Sequence, residues 1–175
     1  MAVNDFRPIK SHYGVQRFRT QDTDTEGGTG TIAPGDLVKK GLTGGNFATI
    51  VLTGDPEVAT DVLLGVVRKQ STETATADGV CDVEIVGPGT VLEGDAATAA
   101  NIDTDAKLLL LLLDTVACDR SAATKAGVLT IDEDEGDDPN NHGLTILDGD
   151  IVKGTLRVGI NLVSIFTNLT GQTMD

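Results

Sequence analysis

The chain has 175 residues, 27 of them acidic and 13 basic, with a formal net charge of −14, no Trp, one Tyr and four Phe. This length suits one domain whose core is built from Val, Ile, Leu and Ala, and it argues against two full domains. A strongly negative body also argues against nucleic-acid binding, because it repels the phosphate backbone.

The first 31 residues are predicted to form a basic arm and linker. Residues 1–20 hold four basic side chains and one acidic one, a local balance of +3 that leaves −17 on the rest of the chain. The following stretch, TQDTDTEGGTGT, is polar and too poor in apolar side chains to pack. A frayed terminus and an arm that docks on an acidic neighbouring surface are both compatible with this pattern.

From Ile32 onward the sequence alternates short apolar runs with Gly, Pro and Asp. Each run is about as long as a strand and has turn residues at both ends. In VCDVEIV, residues 80–86, the alternation is strict, which puts even-numbered side chains on one face and odd-numbered ones on the other. Many short strands at regular spacing predict a barrel or a sandwich.

The segment TDAKLLLLLLDTVACD interrupts this β pattern. Ala, Lys and Leu favour a helix, and Asp103 or Thr104 can cap its N-terminus. Six consecutive leucines, Leu108–Leu113, are also compatible with a strand buried on both faces. We favour a short helix. In either form the run is expected to lie in the core or in an oligomer interface, since six exposed leucines would aggregate.

A Gly-Asp pair followed by an apolar step occurs in PGDLVKKG (34–41), LEGDAATA (92–99) and LDGDIVKG (147–154). The stretch at 92–99 is the loosest of the three. In the other two we expect Gly to supply a positive φ, the Asp side chain to cap backbone N–H groups, and the apolar pair to begin a strand. A phosphate-binding loop instead needs several glycines before a helix and a Lys followed by Ser or Thr. The repeated pair is therefore predicted to form corners where strands enter the sheet.

No catalytic or metal-binding group of residues stands out. Cys81 and Cys118 lie outside any CxxC or Cys/His cluster and are expected to be reduced, buried thiols. Asp132–Asp138 contains six carboxylates but lacks the EF-hand spacing, so a solvated loop is expected, with weak calcium binding as the alternative. Neither His12 nor His142 is placed beside a nucleophile. We predict no enzymatic activity, no cofactor and no metal.

Targeting signals are also lacking in the sequence. The N-terminus has no apolar segment typical of secretion, and the longest apolar run is far too short to cross a bilayer. We therefore expect synthesis in a reducing cytoplasm and no membrane partner.

Several motifs together resemble the head decoration, or capsid cement, proteins of tailed bacteriophages. A basic, partly apolar arm precedes IAPGDLVKKG, VLLGVVRK and GVCDVEIVGPGTVLEGD. The matching features are the corners Gly35-Asp36 and Gly94-Asp95 and the strand Gly65-Val66-Val67, and they cover roughly residues 32–95. The leucine run and the acidic stretch have no counterpart in the family.

The resemblance implies a β-barrel or β-tulip protein that binds the outside of an assembled capsid, commonly as a trimer at local threefold positions. The expected fold is therefore mainly β, with an extended N-terminal arm over 1–31, a small barrel-like domain with one short helix over 32–167, and a tail over 168–175. The expected partners are the major capsid protein and sister copies in a homotrimer, with no nucleic acid and no membrane. The protein would be made in the host cytoplasm and would reside on the outer surface of the virion.

Six residues of the arm are predicted to contact the capsid or a sister subunit, because Arg and aromatic residues are favoured at interface anchors. These residues are Phe6, Arg7, Ile9, Tyr13, Arg17 and Phe18. Two other functions stay open: another virion β-module, such as a tail or baseplate component, and a small β-barrel enzyme.

Overall fold

A computed structural model describes residues 6–10, 13–20, 32–40, 47–51, 54, 56, 62–69, 79–121, 128–134, 138 and 142–160. The elements within these residues, in chain order, are β1 (Arg7–Lys10), β2 (Val15–Thr20), β3 (Leu37–Lys40), β4 (Phe47–Ile50), β5 (Leu63–Lys69), β6 (Gly79–Ile85), β7 (Val91–Asp95), a 3-10 turn (Ala99–Ile102), α1 (Asp105–Leu111), β8 (Thr115–Arg120), β9 (Leu129–Asp132), β10 (Leu144–Asp150) and β11 (Thr155–Ile160). The predicted mainly β fold with one short helix is confirmed. The predicted C-terminal tail, residues 168–175, lies outside the described residues.

The strands form two sheets. Five strands close a barrel in the order β2-β4-β3-β5-β6, and six form a second sheet in the order β1-β7-β11-β10-β8-β9. In the barrel, β2 pairs with β4 in parallel and with β6 in antiparallel orientation, which completes the ring of hydrogen-bonded strands. The barrel confirms the sequence prediction, whereas the six-stranded sheet beside it was not predicted.

Strand β6 shows the predicted alternation. Cys81 and Val83 are buried, while Val80 is exposed and Asp82 and Glu84 are half-buried on the other side of the strand. The buried pair belongs to a cluster that fills the barrel and comprises Ile32, Val38, Ala48, Ile50, Val67, Cys81 and Val83. A strand with one apolar and one polar face is what a barrel wall requires.

A second and larger core lies between the barrel and the six-stranded sheet. The barrel contributes Leu37 and Val66 to this cluster, and the sheet contributes Leu92, Leu144 and Leu156 among others. Because side chains of both sheets pack in one cluster, the barrel and the sheet are held together by hydrophobic burial.

The described part of the predicted arm is extended, and its two strands pair with one sheet each. Strand β1 pairs with β7 in the six-stranded sheet, and β2 pairs with β6 in the barrel. Phe6, which is 2% exposed, lies in the shared core, where a Cβ on Gly94 would come within 2.8 Å of its ring. Phe6 and Phe18 of this segment thus pack against the chain's own domain.

The first Gly-Asp pair forms the predicted corner. Gly35 has a φ of 92°, the Asp36 Oδ2 atom accepts a hydrogen bond from the Ala33 amide at 2.8 Å, and β3 begins at Leu37. The sequence indicated this arrangement: a glycine with a positive φ lies in a turn, and the Asp side chain caps a backbone amide of that turn directly before a strand.

The other two Gly-Asp pairs each lie at the end of a strand. For the pair at 149–150 the predicted cap by Asp is confirmed, whereas the predicted start of a strand is wrong. Gly94-Asp95 ends β7, and Gly149-Asp150 ends β10. The Asp150 Oδ1 atom accepts hydrogen bonds from the amides of Val152 and Lys153, both at 3.1 Å, and Gly154 takes the positive φ of 70°. The apolar pair that was expected to begin a strand instead forms the β10–β11 turn.

A buried ion pair joins the first corner to the six-stranded sheet. Arg120, the last residue of β8, donates from Nη2 to Asp36 Oδ1 at 3.1 Å, and both side chains are 0% exposed. Its Nε atom donates to the Val51 carbonyl oxygen at 2.7 Å. The Arg120 guanidinium therefore binds two segments of the barrel, whereas the Arg120 backbone belongs to the six-stranded sheet.

Arg120→Met is expected to lower the free energy of unfolding by ~3–5 kcal/mol, because it leaves the Asp36 carboxylate buried without its cation. Urea unfolding measures the change. The matched control is Arg17→Met, which removes an exposed ion pair to Asp82 and should leave the unfolding midpoint nearly unchanged. Equal midpoint shifts in the two variants would contradict this role for the buried pair.

Candidate interaction surfaces

The leucine run forms helix α1 and the residues that follow it. The Thr104 hydroxyl accepts a hydrogen bond from the Lys107 amide and caps the N-terminus, as predicted, and Asp105 in the first turn is favourably placed near the positive end of the helix dipole. The helix ends at Leu111. Among the described residues other than glycine, Leu113 alone has a positive φ, 75°. This conformation is costly for a leucine, and the Leu113 amide holds it by donating to the Ile146 carbonyl oxygen at 2.9 Å.

The six leucines divide between the core and the surface. Leu108, Leu111 and Leu112 are half-buried and pack against the shared core. The other three form what we call the leucine patch: Leu109, Leu110 and Leu113, which are 68%, 80% and 73% exposed. The run is thus not wholly core, and half of it presents large apolar side chains to solvent.

No helix in the described part of the chain has the length and hydropathy needed to cross a membrane.

An open cleft of about 470 Å³ lies beside the leucine patch. Its lining residues are Asn101, Lys107, Leu110, Leu111, Asp114, Glu133 and Asp134. The carboxylate groups make the cleft and the edge of the leucine patch negative, since the ammonium of Lys107 is bound to Asp103 at 2.8 Å.

Glu133 corrects the expectation that the acidic stretch is wholly solvated. This residue is 4% exposed, and its carboxylate accepts hydrogen bonds from the amides of Ala97 and Thr98, both at 2.9 Å, and from Asn101 Nδ2 at 3.1 Å. A buried carboxylate is tolerated here because three donors replace its water. Glu133 therefore anchors the segment that leads into the 3-10 turn.

The rest of the acidic stretch is only partly described. Asp132 ends β9, Asp134 is exposed, and residues 135–137 lie outside the described residues. Within the described ranges, no three His, Cys, Asp or Glu side chains come together in a way that could hold a metal ion.

A second surface lies on the outside of the barrel, on strands β2, β5 and β6. The register places Val15 opposite Glu84, Arg17 opposite Asp82, and Arg19 opposite Val80. Arg17 Nε donates to Asp82 Oδ1 at 2.8 Å, and this hydrogen bond lowers the pKa of Asp82 and raises that of Arg17.

Strand β5 and the residues before β2 extend this surface. Arg68 forms an ion pair with Glu84, and Lys69 lies opposite Asp82. The Tyr13 hydroxyl donates to the Pro88 carbonyl oxygen at 3.0 Å. We call this surface the barrel face, and its residues are Tyr13, Val15, Arg17, Arg19, Arg68, Lys69, Val80, Asp82 and Glu84. It carries four cations and two carboxylates, the opposite balance to the chain as a whole.

The structure places the six predicted contact residues in different environments. Phe6 is buried in the shared core, and Phe18 is half-buried against the barrel interior. Tyr13, at 44% exposure, and Arg17 both lie on the barrel face. Arg7 and Ile9 belong to β1, and the structure does not describe their side chains.

Sequence reasoning missed the neighbours of Tyr13 and Arg17 on β5 and β6. Arg68, Lys69 and Val80 join them only because β2 pairs with β6 and β6 pairs with β5. The strict alternation of β6 was visible in the sequence and identified the outward face, but nothing local indicated which strand lies beside it.

The two cysteines are free and buried, as predicted. Burial raises the pKa of the Cys81 thiol to about 12, and the neighbouring charge of Asp82 adds to this effect. His142 is 7% exposed, and its Nδ1 atom lies 3.0 Å from the Thr115 carbonyl oxygen. His12 lies outside the described residues.

Comparisons with protein-family models, with curated proteins and with solved structures return no match for this chain.

The Cys81 thiol is expected to make stability fall at alkaline pH. The pKa of Cys81 is about 12 in the folded protein, whereas the usual pKa of this thiol is 9.0. The unfolded chain therefore releases the proton at a lower pH than the folded protein does. The contribution of the protonated thiol to the free energy of unfolding is thus fully present below pH 9 and is lost as the pH rises toward 12. At pH 10 the loss is about 1 kcal/mol.

Urea unfolding of the wild type and of Cys81→Ala at pH 7 and pH 10 measures this contribution. The variant loses some packing energy at both pH values but should show a smaller decrease between them. An identical decrease in both proteins would contradict a protonated Cys81 in the folded state.

Proposed function

We propose that this chain is a structural virion protein that binds the outer surface of a bacteriophage capsid and stabilises it by clamping neighbouring major capsid protein subunits. The observation that carries the proposal is the leucine patch, since adjacent large apolar side chains at this exposure mark a protein–protein contact. The choice of a capsid as partner rests on the sequence resemblance over roughly residues 32–95.

A clamp needs a rigid body with more than one contact surface, and the structure is compatible with that requirement. The barrel and the six-stranded sheet share one hydrophobic core and are joined by the Arg120–Asp36 ion pair. The leucine patch belongs to the helix beside the sheet, and the barrel face belongs to the other half of the molecule. Two surfaces on one body can engage two neighbours, so that avidity compensates for modest single contacts.

The charge of the chain fits a position on the outside of a particle. A net charge of −14 keeps densely coated particles soluble and opposes contact with the packaged nucleic acid. In this proposal the partners are the major capsid protein and sister copies in a homotrimer, and binding alone provides the function without a catalytic step.

Mixing the purified protein with expanded capsids, sedimenting them and imaging the pellet tests the proposal. We expect ordered occupancy at local threefold positions. Protein that stays in the supernatant would reject capsid binding, and density confined to the tail would assign the chain to a tail or baseplate module instead.

The contacts predicted from the arm require point substitutions, because deleting residues 1–20 would remove β1, β2 and the buried Phe6. Tyr13→Asp combined with Arg17→Ala changes two exposed side chains and leaves the core intact. We expect capsid affinity to fall about tenfold or more, as is typical for anchor residues of these types. Lys40→Ala, an exposed change on β3, is the matched control. Undiminished binding of the double variant would reject a role for Tyr13 and Arg17 in contacts with the capsid or with a sister subunit.

A further inference from the structure

We infer that the leucine patch of one copy docks on the barrel face of a second copy, in a head-to-tail contact. The inference builds on the self-association within the proposed function, but it assigns two specific surfaces to each other and needs no capsid. It follows from the apolar content and the opposite charges of the two surfaces.

The leucine patch is an apolar surface with a negative edge. Asp105 is exposed one helical turn before Leu109, and Asp114 and Asp134 line the cleft beside Leu110. The cation on this edge, Lys107, is bound to Asp103. A partner that covers these leucines therefore meets carboxylates around them.

The barrel face is an apolar surface with a positive surround. Tyr13, Val15 and Val80 are 44%, 57% and 39% exposed, and cations lie between and beside them. The two carboxylates of this face already form ion pairs, Asp82 with Arg17 and Glu84 with Arg68. Counted over the nine described residues of the face, four cations against two carboxylates, the balance is positive on a chain whose net charge is −14.

Charge decides between the two ways in which copies of this chain can meet. A twofold contact of the leucine patch with itself would bring the carboxylates of both copies together, and like charges at an interface are unfavourable. A contact between the leucine patch and the barrel face buries apolar side chains from both partners and places carboxylates against cations. The head-to-tail arrangement is therefore favoured.

A head-to-tail contact uses two different surfaces, so each copy in a pair retains one unoccupied surface of each kind. Assembly then continues until the rotation between copies closes a ring. The expected assembly grows with protein concentration and weakens as salt screens the paired charges.

Analytical ultracentrifugation of the full chain at increasing concentration and at low and high salt tests the contact. The wild type should self-associate, and its dissociation constant should rise with salt. Leu110→Asp, at a position that is 80% exposed, should stay folded by circular dichroism and remain monomeric. A wild type that remains monomeric throughout, or a Leu110→Asp variant that associates like the wild type, would overturn the inference.

The barrel face is tested with Arg19→Glu combined with Lys69→Glu, which should also give a monomer. If this double variant does not fold, Val80→Glu replaces it, because it puts a carboxylate in place of an exposed apolar side chain opposite Arg19 and lowers the positive balance of the face. A barrel-face variant that folds and associates as tightly as the wild type would overturn the inference, since it would show that the leucine patch does not need the barrel face.

Mixing the two monomeric variants gives the sharpest test. Leu110→Asp retains an intact barrel face and the barrel-face variant retains an intact leucine patch, so the mixture should form a 1:1 dimer that grows no further. A mixture that remains monomeric would contradict the head-to-tail contact.

Val128→Asp is the matched control for the apolar change, because Val128 is 40% exposed on the residue before β9, at the opposite end of that strand from Asp134. This variant should associate like the wild type.

Capsid sedimentation separates the two proposals. Association in solution without capsid binding contradicts only the proposed function. Capsid binding by a wild-type monomer contradicts only the head-to-tail contact.

Discussion

The docking of the barrel on the six-stranded sheet depends on their shared hydrophobic core and on the buried contact between Arg120 and Asp36 within it. A guanidinium and a carboxylate in the interior lose their hydration, so the arrangement is stable only where hydrogen bonds replace it. Here Arg120 donates to Asp36 and to the Val51 carbonyl oxygen, and Asp36 also accepts the Ala33 amide. Because these partners come from separate segments, the contact forms only when the barrel and the six-stranded sheet are correctly docked. It thereby fixes the two proposed interaction surfaces on one body.

Features that depend on neighbouring residues could be predicted from the sequence. The alternation of β6, the Thr104 cap and the corner at Gly35-Asp36 all follow from local conformational preferences. The repeat at 147–154 shows where such reasoning ends. Its residues resemble those at 34–41, yet its Gly-Asp pair ends a strand and its apolar pair lies in a turn. The difference arises because β10 and β11 form a tight hairpin with Asp150 opposite Thr155, so the apolar pair falls in the turn between them, and the short motif does not show that a strand precedes it.

The placement of the residues predicted to make contacts could be foreseen only in part, because it depends on which strands pair over long distances in the sequence. Tyr13 and Arg17 were identified by residue type, and they do lie together on the barrel face. Phe6 was identified by the same rule but fills the core, because its strand pairs with β7 and its ring covers Gly94. Glu133 shows the converse error, since a carboxylate within an acidic stretch is buried where three donors converge on it. Residue type indicates what a side chain can do, and long-range pairing decides where it is.

The position of β1 and β2 also has a consequence for how the chain folds during synthesis. Their antiparallel neighbours, β7 and β6, lie far along the chain, and β7 in turn pairs with β11, which ends at Ile160. Contacts so distant in sequence make folding slow, and they expose unpaired strand edges while the polypeptide is incomplete. Strands β1 and β2 therefore remain without these antiparallel neighbours until β7 and β6 have been synthesised, and their open edges can pair with other chains in the meantime.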